Sequence, residues 1–585
     1  MMYYLELFPK WNIIIYSKSV EEVFIYNGFN MKRIFIVVLL LLGVNSIFGV
    51  ERTLSQKQKV AAAILTRSET KAKAASDIVP VKMMDALTIM GYSDEKGFVV
   101  VANDDAYDAV LGYSFSMFSE KIPEGLDWWL KTVNALLINN TKQKTNVENF
   151  FREKSSVSTV PYLMSSTWSQ REPFNEKCPL SSISGNMPAG CVATAMSQIM
   201  YYHKWPKKGI GTNEYEWIRD DGQQLLLGAD FGNTYYEWNQ MLDHYDNYTD
   251  IQADIIATLT FHCGVAINMD YSQSGSSADL RNACTALYKY FGYSENAQMR
   301  WRAYYSVDEW MELIRQELNS GRPILYAGQT EDYSAHAFVI DGYDENGMVH
   351  VNWGWGGDYD GMYNIKLLDP VPDKSYSAGQ YMVIGIAKPS EGNIPYYSEL
   401  ANSRGFSGFN IYGKYIDSDV SPMACNESDR TIFGKFAVLI KGEGYFGELK
   451  TEDYSQGIEP GKVAIFRLYT KLPDDLPDGT YRIYTAFLEN GESEWKEIRY
   501  TPGLANGCML TKRAGEFVLE EIISGIDSVN YSDIKTGDIT RVYDINGKEI
   551  YSIPAASFNK DNVPGYGIFI VKTGSNVEKI IKLKK

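Results

Sequence analysis

The sequence predicts a multidomain α+β protein with an all-β C-terminal part, on the strength of three observations. Its 585 residues exceed the roughly 100 to 200 residues of one typical domain. Residues 50–158 combine an Ala- and Lys-rich helical stretch at 57–73 with a short apolar strand at 97–101. Residues 390–525 alternate β-branched or aromatic runs with Gly, Asp and Pro turns, which is typical of a β-sandwich.

The charge balance and the cysteines argue against several classes of function. A net charge of −17 and a pI near 5.0 argue against a nucleic-acid or anionic-membrane partner, because both require clustered Lys and Arg. The six cysteines are scattered and form no CxxC pair. Neither a zinc ribbon nor a disulfide framework is therefore predicted, and we expect no metal site.

The beginning of the chain contains a predicted export signal. Lys32 and Arg33 precede eleven apolar or glycine residues at 34–44, which is the order found in secretory signal peptides. The run is shorter than the about 20 apolar residues of a transmembrane helix. We therefore expect a secreted or cell-surface protein with no transmembrane segment after signal removal. Residues 1–30 have no place in such a signal, so Met31 is predicted to be the true start.

Cys191 is a candidate nucleophile. Pro188 and Gly190 end a loop, and small and apolar residues then recur at helical spacing from Cys191 onward. At a helix N-terminus, free N–H groups and the helix dipole favour the thiolate and can face a developing oxyanion. Taken alone, a cysteine among Ala and Val is more often a small buried residue.

His336 is the candidate base. It begins a predicted strand and lies 145 residues after Cys191, within the about 130 to 150 residues of the papain-type pattern. A core histidine is the rival interpretation, and it fits His350 better. Asn352 follows 16 residues after His336, and its amide can hold the imidazole in one orientation. Trp353 can shield that bond, although a glycine-rich hairpin with core tryptophans explains the same residues.

Several motifs together resemble those of the streptopain-type cysteine peptidases, in that family's order. The resemblance covers about residues 160–388 and implies a papain-like fold, endopeptidase action on proteins or peptides, and no metal or organic cofactor. Ser274, Gly275 and Ser276 fall where the family lines its substrate cleft. The matching segments are 166–170, 189–195, 264–271, 336–342 and 351–357.

The resemblance also implies catalytic roles. Cys191 matches the nucleophile, His336 the general base and Gln170 the oxyanion donor. Asn352 and Trp353 match the region that orients the histidine, and which of the two does so stays open.

Both ends of the chain resemble further known segments. Residues 97–105 and 110–114 are similar to the family's inhibitory propeptide, which implies an intramolecular inhibitor that is removed by cleavage. We expect the cut in the polar stretch 152–158. Segments 542–548 and 565–571, with the basic tail, resemble the sorting domain of the type IX secretion system of Bacteroidetes, which implies contact with that secretion machinery.

These observations divide the chain into six predicted segments. They are an upstream mis-start at 1–30, a signal peptide at 31–49, an inhibitory propeptide at 50–158, a papain-like catalytic domain at 159–388, a β-sandwich domain of unknown role at 389–525 and a β-rich sorting-type domain at 526–585.

The predicted function is that of a secreted cysteine endopeptidase made as a zymogen. Two alternatives stay open. The same catalytic residues serve amidase or transglutaminase chemistry, which the sequence does not separate from proteolysis. The second alternative is a surface binding protein with an inert peptidase domain. The presence of the complete set of Gln170, Cys191, His336 and Asn352 argues against this second alternative.

Overall fold

The protein is described by a computed structural model. The residues it describes are 16–17, 23–24, 50–66, 75–93, 96–141, 159–183, 185–329, 335–366, 368, 379–391, 399–442, 444–501, 504–523, 539–544, 549–554, 567–573 and 576–582. The predicted signal peptide and the stretch 152–158 lie outside them. Within the described residues, no helix has the length and apolar character needed to cross a membrane.

A ten-stranded antiparallel sheet joins the propeptide segment (residues 50–158) to the catalytic segment (residues 159–388). The propeptide segment contributes the first four strands and the catalytic segment the other six. In spatial order the strands are Ile78–Met83, Leu87–Tyr92, Phe98–Ala102, Val110–Ser114, Gly361–Tyr363, Val349–Asn352, Ala335–Tyr343, Ile324–Gln329, Gln380–Ile384 and Gln298–Trp301.

Both faces of this sheet are buried. Along the strand Ile324–Gln329, successive side chains alternate between the faces. Leu325 and Ala327 belong to one hydrophobic core, whereas Ile324 and Tyr326 belong to another. A strand that is apolar on both sides therefore forms the centre of the catalytic segment, as its near-continuous hydrophobic sequence requires.

Six α-helices among the described residues cover the sheet. The helices that begin at Cys191, Asp250 and Leu280 share the first core, and those that begin at Glu124 and Val307 share the second. The N-terminal helix packs on the propeptide strands. The six helices are Leu54–Leu65, Glu124–Thr141, Cys191–His203, Asp250–Ala266, Leu280–Phe291 and Val307–Asn319.

The first helix corrects a sequence expectation. Helical structure was expected from residue 57, but the helix begins at Leu54. Thr53 and Gln56 form a reciprocal capping box, which satisfies free N–H groups and sets the start three residues earlier. Residues 67–73, the end of the predicted stretch, lie outside the described residues.

The propeptide segment shares strands and core with the catalytic segment. Val110–Ser114 pairs antiparallel with Gly361–Tyr363, with Gly112 opposite Tyr363. The ring of Trp129 lies 5.1 Å from that of Tyr363 in an edge-on contact. Side chains from both segments thus form one continuous hydrophobic core.

Three sheets follow in the sandwich segment (residues 389–525) and enclose one shared core around Phe436 and Ile483. This arrangement fits the predicted all-β class. The first sheet contains Val463–Ile465, Met423–Asn426, Leu400–Asn402 and Arg499–Tyr500; the second contains Phe409–Tyr412, Tyr415–Ser418 and Tyr469–Lys471; the third contains Tyr445–Ile458, Ile432–Gly442, Gly479–Glu489, Ala505–Arg513, Glu516–Ile523 and Lys496–Glu497.

Three smaller units complete the described strands. The C-terminal part forms a four-stranded antiparallel sheet, and two isolated hairpins lie earlier in the chain. The C-terminal strands are Glu549–Pro554, Ile539–Asp544, Gly567–Thr573 and Asn576–Lys582; the hairpins are Tyr16–Ser17 with Val23–Phe24 and Thr212–Ile218 with Gln224–Asp230.

Candidate active site

Cys191 is the first residue of the helix Cys191–His203. Gly190 precedes it with a φ of 91°, a left-handed conformation that glycine adopts without strain. A Cβ added to Gly190 would lie 2.5 Å from Cε of Met269, so the neighbouring side chain also requires glycine here. The first N–H groups of any helix lack an intrahelical acceptor, and here they are the amides at and after Cys191.

Gln170 lies beside the loop that carries the cysteine. Its backbone carbonyl accepts a hydrogen bond from the N–H of Ala189 at 3.0 Å, and its side chain is half-buried. The structure therefore brings the predicted oxyanion donor next to the segment that ends at Cys191.

The predicted substrate-binding tract is divided by the fold. Ser276 is buried, and its hydroxyl donates to the carbonyl of Pro188 at 2.7 Å. Ser274 and Gly275 are exposed beyond it. Ser276 thus supports the loop before Cys191, while Ser274 and Gly275 lie at the surface.

His336 is held at the start of the strand Ala335–Tyr343 and is only 2% exposed. Its Nε2 lies 3.1 Å from the carbonyl oxygen of Trp353. On the other side of the ring, a carboxylate oxygen of Glu124 lies 3.6 Å from Nδ1. Glu124 begins the propeptide helix Glu124–Thr141, so the propeptide segment reaches the candidate base directly.

The approach of that helix depends on Gly125. A Cβ at this position would lie 2.5 Å from Cδ2 of His336 and 2.7 Å from Cε3 of Trp353. Any larger residue would therefore push the helix away from the histidine. The next turn continues the contact, because Nε1 of Trp128 donates to the carbonyl of Gln329 at 3.3 Å.

The electrostatics of the pair favour a thiolate and an imidazolium. Burial opposes ionisation of Cys191, but its interaction with His336 outweighs burial and lowers the pKa of the thiol. Burial likewise opposes the charged form of His336, but Cys191 and Glu124 outweigh it and raise the pKa of the imidazole to about 10. The interaction with His336 in turn lowers the pKa of Glu124. A low-pKa thiol beside a cationic histidine is an activated nucleophile.

Asn352 takes part in a buried amide network rather than contacting His336 in this conformation. Its Oδ1 accepts from Nε2 of Gln198 at 3.0 Å and from the N–H of Gly354 at 3.1 Å. Its Nδ2 donates to the carbonyl of Ser166 at 2.8 Å. Of the two residues left open by the sequence, it is Trp353, through its carbonyl, that lies at the imidazole.

Asp360 fixes the backbone that carries this carbonyl. Its Oδ1 accepts from the N–H of Trp353 at 2.8 Å, and burial raises the pKa of Asp360 to about 7. The hydrogen bond therefore anchors the residue whose carbonyl contacts His336.

Sequence reasoning missed Glu124, Gln198 and Asp360. Gln198 gave no local signal, because its partner Asn352 lies 154 residues away in the chain. Asp360 lies only seven residues after Trp353, but no sequence motif indicates that its carboxylate binds that N–H group. Glu124 had a weak local signal, since Gly125 in a helical first turn before two tryptophans indicates a close approach between segments.

Selective alkylation tests the ionisation of Cys191. At about pH 6, iodoacetamide should label Cys191 before the other five cysteines, because only the thiolate reacts. Burial raises the pKa of Cys178 and Cys425 to about 12 and that of the remaining three above the ordinary range. Peptide mapping of the full chain measures the labelling, with Cys191→Ala as the control. Equal labelling of a second cysteine would contradict the expectation.

The amide network predicts a structural cost for Asn352→Ala. Asn352 and Gln198 are 4% and 0% exposed, and an unsatisfied buried amide costs about 1 to 3 kcal/mol. Asn352→Ala should lower the free energy of unfolding by about that amount, measured by chemical denaturation in a Cys191→Ala background. The double variant with Gln198→Ala should cost less than the sum of the single variants. Additive costs would show that the two amides do not depend on each other.

Two family models and several curated proteins match the chain. The model of the peptidase C10 family matches residues 168–363, and the model of the Spi protease inhibitor matches residues 53–136. Streptopain of Streptococcus pyogenes is 31% identical over 291 residues, covering 47% of this chain and 72% of that protein. The thiol protease/hemagglutinin PrtT of Porphyromonas gingivalis is 31% identical over 329 residues, covering 52% of this chain. The match spans only 37% of the length of PrtT.

Two solved structures are also similar. A mutant fragment of Prevotella intermedia prointerpain A is 37% identical with a TM-score of 0.47, covering 54% of this chain and 99% of that one. Active interpain A of the same organism is 41% identical with a TM-score of 0.36, covering 39% and 95%.

The sequence relationships confirm the predicted streptopain-type peptidase and its inhibitory propeptide. The inhibitor model ends before the expected cut, and the peptidase model contains both Cys191 and His336. The chain belongs to the peptidase C10 family of cysteine peptidases, and a protease-inhibitor domain precedes its catalytic segment.

Proposed function

We propose that the protein is an exported cysteine endopeptidase that is made as a zymogen and uses Cys191 as nucleophile and His336 as base. One observation carries the proposal. The pKa of Cys191 is lowered while that of His336 is raised to about 10, as in a thiolate–imidazolium pair at a helix N-terminus.

The proposed mechanism uses Cys191, His336 and Gln170 in turn. The Cys191 sulfur attacks the peptide carbonyl, and the oxyanion takes hydrogen bonds from the N–H of Cys191 and the amide of Gln170. His336 gives its proton to the leaving amine as the C–N bond breaks, which leaves a thioester on the sulfur. His336 then takes a proton from water as the water attacks that thioester. The C–S bond breaks, which releases the acid product and frees the sulfur of Cys191.

Latency is assigned to the propeptide segment. Glu124 occupies the Nδ1 side of His336 at 3.6 Å, and the helix that follows covers the strand next to the histidine through Trp128. The carboxylate also opposes ionisation of the cysteine. The propeptide thus covers the base until it is removed.

Export and maturation rest on the sequence. The basic and apolar residues at 31–49 support a signal peptide, and the polar residues at 152–158 support a cleavage site between the inhibitor and the catalytic segment. Passage through a type IX-like machinery is proposed for the C-terminal segment on its sequence motifs.

Maturation measured by intact mass tests the proposal. The wild-type chain, produced from Val50 onward, should lose the propeptide segment and release new N-termini from casein. Cys191→Ala should remain full length and inactive while keeping its fold, because the lost sulfur atom is small. Cleavage of casein by Cys191→Ala would overturn the assignment of the nucleophile. Acyl transfer to an amine without new N-termini would favour the transglutaminase alternative.

A change at Glu124 tests the latency assignment. Glu124→Gln removes the negative charge beside His336, so the pKa of the imidazole should fall relative to Cys191→Ala alone when both are measured in that background by NMR titration. With Cys191 present, the same change should speed maturation. Glu120→Gln, an exposed residue of the same segment, is the matched control. An unchanged pKa of His336 would show that Glu124 does not act on it.

A further inference from the structure

A cavity of about 490 Å³ is lined by residues of segments that neighbour those carrying Cys191 and His336. One wall is formed by Gln329, which follows Gly328, the residue that pairs with His336 across the sheet. Another is formed by Asn268 and Asp270, whose intervening residue approaches Gly190 closely. The cavity therefore borders the two segments that carry the proposed nucleophile and base.

The far wall of the cavity carries an arginine between carboxylates. Arg281 lines the cavity together with Asp279, Asp270 and the rings of Trp301 and Tyr381. Its Nη1 lies 3.4 Å from Oδ2 of Asp279, and its guanidinium lies 5.7 Å from the ring centre of Trp301. The Trp301 ring in turn lies 5.1 Å from that of Tyr381 at a tilt of 42°, so the arginine and the two rings form one wall of the cavity.

Glu427 of the sandwich segment holds this arginine from behind. Its Oε2 lies 3.2 Å from Nη2 of Arg281, and its side chain is only 9% exposed. Its Oε1 accepts from the hydroxyl of Tyr304 at 2.8 Å, and its N–H donates to the carbonyl of Glu399 at 2.9 Å. Because both carboxylate oxygens and the backbone N–H have partners, the side chain of Glu427 is held in place.

A second set of contacts keeps the sandwich segment against this wall. Glu399 accepts from the hydroxyl of Tyr305 at 2.6 Å and lies 3.5 Å from Nη1 of Arg300. Arg300 directly precedes Trp301, the cavity residue over whose ring the guanidinium of Arg281 lies. The β domain with no assigned role is thus attached to the back of the cavity by buried polar groups.

We propose that Glu427 is a positioning residue through which the sandwich segment sets the charge preference of the substrate cleft; this rests on the proposed endopeptidase function. Glu427 balances the charge of Arg281, so Asp270 and Asp279 leave the cavity with a net negative charge. The cleft therefore accepts a basic side chain of the substrate in preference to an acidic one. Without Glu427, the arginine faces the cavity with only Asp279 as partner.

Three matched peptides test this assignment. They carry Lys, norleucine or Glu at one position before the scissile bond and are otherwise identical. Further sets of three place this variable residue at each successive position before the bond. In Glu427→Gln, matured from the full chain, the ratio of kcat/KM for Lys over Glu should fall roughly 5- to 10-fold at one position, as expected for one nearby charge in a partly solvated site. The norleucine peptide should change little, because it carries no charge.

Two further variants separate charge from folding. Arg281→Gln leaves Glu427 uncompensated and should move the same ratio in the opposite direction, which keeps the test decisive if Glu427→Gln fails to fold. Glu497→Gln removes an exposed ion pair with Arg482 within the sandwich segment and should behave as the wild type.

The results for these variants distinguish a failure of this inference from a failure of the proposed function. An unchanged Lys-to-Glu ratio in both Glu427→Gln and Arg281→Gln, or an equal loss for all three peptides, would overturn the assignment while leaving the proposed function intact. If the wild type cleaves none of the peptides or casein, the proposed function fails and this inference fails with it.

Discussion

The structure depends on keeping a charged histidine in a buried place. His336 is 2% exposed, and an isolated charge there would be strongly unfavourable. Three groups stabilise its charged form: Cys191, the carbonyl of Trp353 and the carboxylate of Glu124. Each partner comes from a different part of the chain. The helix start, the glycine-rich turn and the propeptide helix must therefore all be in register for the histidine to hold its proton.

Close approach between these parts is made possible by two glycines. Gly190 lets the helix of the nucleophile begin against Met269, and Gly125 lets the propeptide helix begin against the imidazole. Both positions are places where a methyl group would need to occupy the volume of another side chain. In both places, the absence of a side chain at the point of contact allows two segments to approach each other closely.

Elements of the fold and of the site that have a local sequence pattern could be predicted from the sequence alone. The change to helical spacing after Gly190, the 145-residue interval to His336 and the family motifs predicted the reactive pair. The family relationships confirm the class of peptidase, and the roles of the two residues stay a prediction. The partnership of Asn352 with Gln198 had no such pattern, because 154 residues separate the two. A glycine-rich stretch also places several backbone carbonyls near one imidazole, so residue type alone did not distinguish the Asn352 amide from the Trp353 carbonyl. The all-β class of the sandwich segment was predictable from its turns, whereas its attachment through Glu399 and Glu427 depends on tertiary contacts.

The shared hydrophobic core of the propeptide and catalytic segments has a consequence for how activity begins. Cutting the chain between them breaks a tether, but the contacts of Trp128 and Trp129 with the catalytic sheet do not depend on that tether. Cleavage lowers the effective concentration of the inhibitor from an intramolecular value to that of the solution. The cut segment then behaves as a dissociable ligand whose occupancy falls with dilution or with its own digestion. Activity per molecule therefore rises as the cut protein is diluted, which makes dilution itself part of the activation.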